Sequence, residues 1–271
     1  MLELVVLASG STGNAAIVRD AATGRALLVD CGICKRKFFA RCAAAGVDPL
    51  AIEATLVTHA HTDHTSGLGV VLRGLHKKGC APTLYTHPLV RAQSKPIAEV
   101  EGLVQQCEIV HGNPFEVAGI MVTPFPTSHD AAGSTCFRFE VEGDALGYVT
   151  DTGIVTPQAH DSLQGVRILA IESNHDVTML KEGPYPYPLK QRILGRRGHL
   201  SNMSSGQLLA RVLNDHMKAI FLGHLSKENN LPELAYETVR VELLSLQDMY
   251  RPDELPIRVA QRDHNSQLLE W

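Results

Sequence analysis

Short apolar runs alternate along this chain with longer stretches in which apolar residues recur every three or four positions. Residues 2–7 and 26–30 are rich in Leu and Val and read as strands, joined through the turn-prone Ala21-Ala-Thr-Gly24. Between them, Ser9-Gly-Ser-Thr-Gly-Asn14 reads as a loop, either a plain turn or a place where backbone N–H groups approach an anion. Residues 35–45 read as a helix stopped by Gly46, and residues 55–59 as the next strand. Residues 66–78 carry a helical pattern, with Ser66 as N-cap and Gly79 just past the end. Residues 82–85 and 119–124 are shorter strand candidates. Residues 136–142 alternate Phe137 and Phe139 against Arg138 and Glu140, and Glu142-Gly-Asp144 turns them into residues 145–150 as a hairpin. Residues 167–172, 219–222 and 257–261 read as strands, and 206–216 and 232–246 as helices. Gly183-Pro-Tyr-Pro-Tyr-Pro188 is too proline-rich for a helix interior and reads as an ordered loop. With no tandem repeat or low-complexity tract, the expectation is one domain over residues 1–271 with a mixed order of strands and helices.

Composition narrows the class without naming a function. Hydrophobic residues make up 44% and charged residues 20% of the chain, ordinary for a globular protein with a substantial core. A net charge of −4 gives no global pull toward nucleic acid or an anionic membrane. The opening Met1-Leu-Glu-Leu reads as a first strand rather than a leader, and no long apolar run suggests a membrane span, so a cytoplasmic location is expected. The six cysteines then read as free thiols. Cys31-Gly-Ile-Cys34 is a lone C-x-x-C without the second pair that a structural zinc site needs, and reads as packing near Asp30.

The chemistry concentrates in His59-Ala-His61-Thr-Asp63-His64, directly after an apolar strand. Residues i and i+2 at a strand end point the same way, so His59 and His61 can grip one ion at about 2.0–2.2 Å. Asp63 and His64, on the turn that follows, can reach a second ion. Imidazole and carboxylate together suit zinc, manganese or iron. Three later segments place further donors where strands emerge: His129 in Thr127-Ser-His-Asp130, Asp151 in Val149-Thr-Asp-Thr-Gly153, and His224 in Phe221-Leu-Gly-His224. From Lys181 to Leu200, five basic residues (Lys181, Lys190, Arg192, Arg196, Arg197) stand against one acid, a local patch suited to phosphate.

This order of donors resembles the metallo-β-lactamase superfamily, and Leu28-Val-Asp30-Cys-Gly32 matches the superfamily's early strand-Asp-Gly motif. The resemblance implies an α/β (α+β) architecture, a four-layer αββα sandwich with the metals at one edge. It implies two divalent ions, zinc or manganese foremost and iron tolerated. His59, His61 and His129 would hold the first ion. Asp63, His64 and His224 would hold the second, and Asp151 would bridge both together with a hydroxide. Asp30 would orient the metal-binding loop. Asp63 would be both ligand and candidate proton acceptor.

A narrower resemblance is to the YycJ/WalJ branch of that superfamily. It is carried by Glu172-Ser-Asn-His-Asp176, Met179-Leu180, Gly183-Pro-Tyr-Pro, Gly198-His-Leu-Ser-Asn202, Leu222-Gly-His-Leu-Ser226 and Asn229-Asn230. That branch is associated with exonuclease action on DNA, so the resemblance implies a dinuclear phosphodiesterase degrading DNA 5′-to-3′. The alternatives are a small-molecule cyclic phosphodiesterase and a thioester hydrolase of the glyoxalase II kind. In related phosphodiesterases, a His between the bridging Asp and the last His contacts phosphate or protonates the leaving oxygen. His199 is best placed for that role by chain order, with His175 as runner-up. Arg196, Arg197, Ser201 and Asn202 are the expected substrate contacts. Tyr185 and Tyr187 read as packing rather than base stacking, and His76, His87, His111, His160, His216 and His264 as surface or core residues. Nucleic acid is the expected partner, with no membrane, and grip on a polymer would come from loops or a second subunit.

Overall fold

Alternation along the first strand, β1 (Leu2–Ala8), dictates the layering. Leu4 and Val6 project to one side and Val5 and Leu7 to the other, and all four are buried. A strand buried on both faces needs a layer packed against each. In the computed structural model, which describes residues 1–244 and 257–260, both layers are present.

The first sheet runs β1, β2 (Ala15–Asp20), β3 (Ala26–Val29), β4 (Ile52–Val57), β5 (Thr83–Thr86) and β6 (Gln106–Glu108), neighbours in that order. Its first three strands are antiparallel, and β3 to β6 are parallel. The second sheet runs β7 (Phe115–Val117), β8 (Ile120–Pro126), β9 (Thr135–Val141), β10 (Asp144–Val149), β11 (Ile168–Glu172), β12 (Ala219–Gly223) and β13 (Ile257–Val259). It is antiparallel from β7 to β10 and parallel from β10 to β13.

Three apolar cores bind four layers. Between the sheets, Leu4, Val6, Leu27 and Leu56 meet Val122, Phe137, Phe139 and Leu146. Each such side chain contributes roughly 1.5–3 kcal/mol relative to exposure. On the far face of the first sheet, Val5, Leu7 and Leu28 pack on Phe38 of α1 (Lys35–Ala44) and on Leu72 and Leu75 of α3 (Leu68–His76). On the far face of the second sheet, Leu169 and Leu222 pack on α6 (Pro157–Ser162), α9 (Asn202–Val212) and α10 (Pro232–Leu244). The αββα sandwich expected from the resemblance is therefore the observed architecture. Shorter helices complete it: α2 (Thr62–Thr65), α4 (Pro88–Gln93), α5 (Lys95–Ala98), α7 (Val177–Glu182) and α8 (Tyr187–Leu194). Among the described residues no helix is long and apolar enough to cross a membrane.

Several local expectations are corrected. A strand not expected from the pattern lies between the Ser9–Asn14 loop and the Ala21 turn. The chain returns at once as β2, whose apolar start, Ala-Ala-Ile-Val, buries between β1 and β3. Ser66 does not cap α3. It ends α2, and α3 starts at Leu68 behind Gly67, because the turn must first place Asp63 and His64. The proline-rich segment is not wholly loop, since α8 begins inside it at Tyr187, where a proline in the first turn sacrifices no helical hydrogen bond. The helix expected from residue 206 starts earlier, at Asn202 behind Ser201. The ends of the expected 232–246 helix and 257–261 strand, and His264, lie outside the described residues.

Asp30, Thr58, His59, Asp151 and His224 all lie just past the C-terminal ends of strands, β3, β4, β10 and β12. Both sheets thus deliver polar side chains to one edge of the sandwich.

Candidate metal centre

β4 ends at Val57, Thr58 and His59 follow it, and α2 starts at the residue after His61. The imidazoles of His59 and His61 face each other, with His59 Nε2 3.0 Å from His61 Nδ1. His129, beyond the end of β8, brings its Nε2 within 3.2 Å of the same His61 nitrogen. These three ring nitrogens form one group of potential ligand atoms.

A second group forms beside it. Asp63 Oδ2 lies 3.4 Å from His64 Nε2 and 3.3 Å from His224 Nε2. Asp151 spans the two groups. Its Oδ2 is 3.2 Å from His64 Nε2, and its Oδ1 is 3.8 Å from His129 Nε2. The seven donors expected as metal ligands are thus brought together from both sheets. His59, His64, His129, Asp151 and His224 are buried, and His61 and Asp63 are half-buried.

Outer partners select which nitrogen faces the cluster. His64 Nδ1 donates to Asp30 Oδ2 at 2.7 Å, which leaves Nε2 for the centre. Asp30 is fully buried, and it also accepts from the Thr58 N–H and the Thr58 hydroxyl, each at 2.8 Å. His129 Nδ1 donates to the Gly198 carbonyl at 3.1 Å. The opening Ser9–Asn14 loop completes the support. Ser9 Oγ accepts the His224 N–H at 2.7 Å, and the Asn14 amide reaches Asp63 Oδ2 at 3.2 Å. That loop is therefore a brace for the centre. Asp30, Asp151 and His224 hold left-handed backbone, with φ of 57°, 53° and 54°. Such angles are strained for residues with a Cβ, and they persist where surrounding structure over-determines them, commonly at functional sites.

The electrostatics are those of a cation site. Burial pushes the His59 imidazole well below its usual range, and the nearby His64 adds to that. Burial also opposes charge on His64 and His224, but it is outweighed. Asp151 and Asp30 hold His64 well above the ordinary histidine value. Asp151, Asp63 and Glu172 raise His224 to about 10. Conversely the histidines hold Asp63 and Asp151 below the usual carboxylate range against the penalty of burial. Buried carboxylates thus hold protons where divalent ions would supply the same positive charge. The donor set, five imidazoles and two carboxylates without sulfur, fits a dinuclear metal site.

The centre floors an open cleft of about 470 Å³. One wall comes from Tyr185, Leu189, Arg192 and Ile193, on and just before α8, so Tyr185, expected as a packing residue, lines the cleft. His199 also lines it. Its Nδ1 is turned away toward Glu172 Oε2 at 3.0 Å, leaving Nε2 as the free nitrogen. His175, the runner-up, is buried and pushed down to about 4 by burial, and it lies outside the cleft lining.

Four expected substrate contacts are not on the cleft wall. Ser201 caps α9 by accepting from the Ser204 N–H. Asn202 is buried, exchanges amide hydrogen bonds with Asn230 at 2.9 Å, and accepts from Ser173. Both side chains are committed to the scaffold. Arg196 and Arg197 are exposed outside the lining, and Arg197 Nε donates to the His129 carbonyl. Within the basic patch it is Arg192 that reaches the cleft.

Sequence reasoning missed Glu172. It is fully buried at the end of β11, accepts from the Thr152 N–H at 2.6 Å, and faces both His199 and His224. Its signal was present: a lone carboxylate closing the apolar run Ile168-Leu-Ala-Ile, the same context that singled out Asp151.

Residues 25–221 match the family model described as "Beta-lactamase superfamily domain". The chain is 36% identical over 237 residues to exodeoxyribonuclease WalJ of Streptococcus pneumoniae, covering 86% of this chain and 85% of that protein. It is 36% identical over 244 residues to exodeoxyribonuclease YycJ of Bacillus anthracis, covering 88% of each. Among solved structures, the metallo-beta-lactamase fold protein YhfI of Bacillus subtilis superposes with a TM-score of 0.70 at 15% identity, over 98% of this chain and 99% of that one.

Proposed function

The chain belongs to the beta-lactamase superfamily, in its YycJ/WalJ-like branch, and we propose that it is a dinuclear metal-dependent phosphodiesterase that degrades DNA from an end. The observation that carries this reading is the pair of ligand groups joined by Asp151 on the floor of an open cleft. Zinc or manganese suits the imidazole and carboxylate donors, and iron is compatible with them. Two such ions supply Lewis-acid activation of water and neutralise charge at phosphorus.

The remaining roles fall to side chains of this chain. His59, His61 and His129 would hold one ion, Asp63, His64 and His224 the other, and Asp151 both. Asp63, the more exposed of the two carboxylates of the centre, would accept the proton of the attacking water. His199 presents Nε2 to the cleft and would donate a proton to the leaving oxygen. Tyr185, Leu189 and Ile193 offer an apolar wall to a nucleotide's base and sugar without hydrogen-bond readout. The open mouth admits a polymer end, which favours DNA over a small cyclic diester.

The test is a paired assay with manganese-loaded protein. It compares 5′- and 3′-labelled single- and double-stranded DNA with bis-p-nitrophenyl phosphate, and uses Asp151→Ala as control. Stepwise nucleotide release from one end, lost in the control, is the expected result and reads the polarity. Cleavage of the small diester alone would move the substrate to a small phosphodiester, and activity retained in Asp151→Ala would overturn the ligand assignment.

A further inference from the structure

Five basic residues stand between Gly183 and its neighbours at one end and Leu200 at the other, counting Lys181, and α8 brings one of them, Arg192, into the cleft. Among the described residues it is the single lysine or arginine of the lining. Its side chain is 55% exposed, and its Nε–H donates to Asp130 Oδ2. A guanidinium carries five N–H donors. The four on the two Nη atoms meet no acceptor among the described residues. A pair this exposed contributes little to stability. It does tether the guanidinium at Nε and leaves both Nη groups for another partner.

The wall beside Arg192 is apolar. Leu189 lies three residues earlier on the same face of α8, and Tyr185 and Ile193 line the cleft with it. Such a wall suits the sugar and base of a nucleotide, and the guanidinium fork matches the paired oxygens of its phosphate. Where Arg192 stands selects which phosphate. The one under attack belongs to the metal centre, and Arg192 makes no hydrogen bond to any of the seven ligand side chains. Asp130 stands between them. Its Oδ2 takes Arg192, and its Oδ1 lies 3.4 Å from His129 Nε2 and 3.6 Å from the outward Nε2 of His61. The free Nη groups thus stand one side chain beyond the centre.

We propose that Arg192 binds the phosphate one linkage inward from the scissile one, on the strand that the enzyme retains. The inference rests on the nuclease reading of the centre and deepens it. A second phosphate exists only in a polynucleotide, so this contact fits the cleft to a strand and leaves a small diester with nothing to place there. The contact is to the backbone and carries no base preference.

The experiment measures kcat/KM for release of the first nucleotide from end-labelled single- and double-stranded DNA by manganese-loaded protein. Each substrate is compared with a twin that carries one uncharged methylphosphonate at the second linkage from the labelled end. Wild type, Arg192→Ala and Arg192→Lys are assayed, with bound metal quantified in each. The wild type is expected to lose roughly 10–150-fold on the methylphosphonate, the worth of one charge-assisted contact. Arg192→Ala is expected to lose that much on the unmodified strand and nothing further on its twin, with both ions retained. Arg192→Lys, which keeps the charge without the fork, should fall between. Equal methylphosphonate penalties in wild type and Arg192→Ala would overturn the proposal alone, as would a wild-type rate for Arg192→Ala on the unmodified strand. No nucleotide release by the wild type from either end of the unmodified DNA would instead overturn the nuclease reading, and the proposal with it.

Discussion

Replacing Glu172 with glutamine isolates the group that orients His199. The carboxylate is fully buried and serves two sets of partners at once. Oε1 accepts from the Thr152 N–H at 2.6 Å and the Leu200 N–H at 3.3 Å. Oε2 faces His199 Nδ1 at 3.0 Å and His224 Nδ1 at 3.5 Å. Glutamine offers one carbonyl oxygen and one NH2. The two backbone donors claim the carbonyl, because leaving them unsatisfied in the core is costly. The NH2 then meets His199 Nδ1, where a donor already points. The imidazole must change tautomer or rotate.

A charge-assisted hydrogen bond of this kind is worth roughly 1.5–3 kcal/mol. At about 1.36 kcal/mol per tenfold, losing that much orientation lowers turnover by roughly 10–150-fold. Initial rates on end-labelled DNA at saturating metal measure it, with bound metal quantified in the same samples because Glu172 also faces His224. His199→Ala supplies the floor, expected at roughly 10²–10⁴-fold below wild type. A Glu172→Gln rate within threefold of wild type, beside a deep loss in His199→Ala, would refute the orienting role.

Two further predictions concern the scaffold. Asp144 accepts from Arg167 at 2.7 and 2.8 Å and from the Leu2 N–H at 2.6 Å, pinning the first strand to the β9–β10 hairpin. Burial opposes its charge, but Arg167 and the Leu2 N–H outweigh burial and hold the carboxyl below its ordinary value. A depressed carboxylate contributes stability that is fully present above the unfolded value of about 3.9 and is lost as pH falls through the lower folded value. Asp144→Asn should therefore cost roughly 2–4 kcal/mol in urea melts at pH 7. That difference should shrink in melts below about pH 4, and a deficit independent of pH would count against the assignment. At Gly32, an added Cβ would sit 1.7 Å from the Asp63 carbonyl oxygen. Gly32→Ala should push the metal-binding turn outward, cost roughly 3 kcal/mol or more, and reduce bound metal; a variant with wild-type melting and metal content would show that the turn yields freely.

Much of the centre was legible in the chain because its chemistry is local. His59 and His61 stand two apart in the chain just past β4, and Asp63 and His64 follow within one short turn. His129, Asp151 and His224 each announce themselves as polar residues where an apolar strand surfaces. The alternation of Leu4 and Val6 against Val5 and Leu7 already demanded two covering layers. What periodicity does not encode is which strand a segment will neighbour and which side chain will end up covered. The Ala15–Asp20 strand depends on burial between two others. Ser201 and Asn202 look available in the chain, yet α9 and Asn230 consume their polar groups. Arg196 and Arg197 match Arg192 in charge, but only the position on α8 that faces the centre reaches it. Glu172 gains its role from histidines brought in by tertiary contacts, His199 standing 27 residues away in the chain. Sequence thus determined the donors and their local spacing, through the short run of chain that carries four of them. The tertiary structure decided which of them converge and what holds each in place, because burial and partner choice belong to the packed whole.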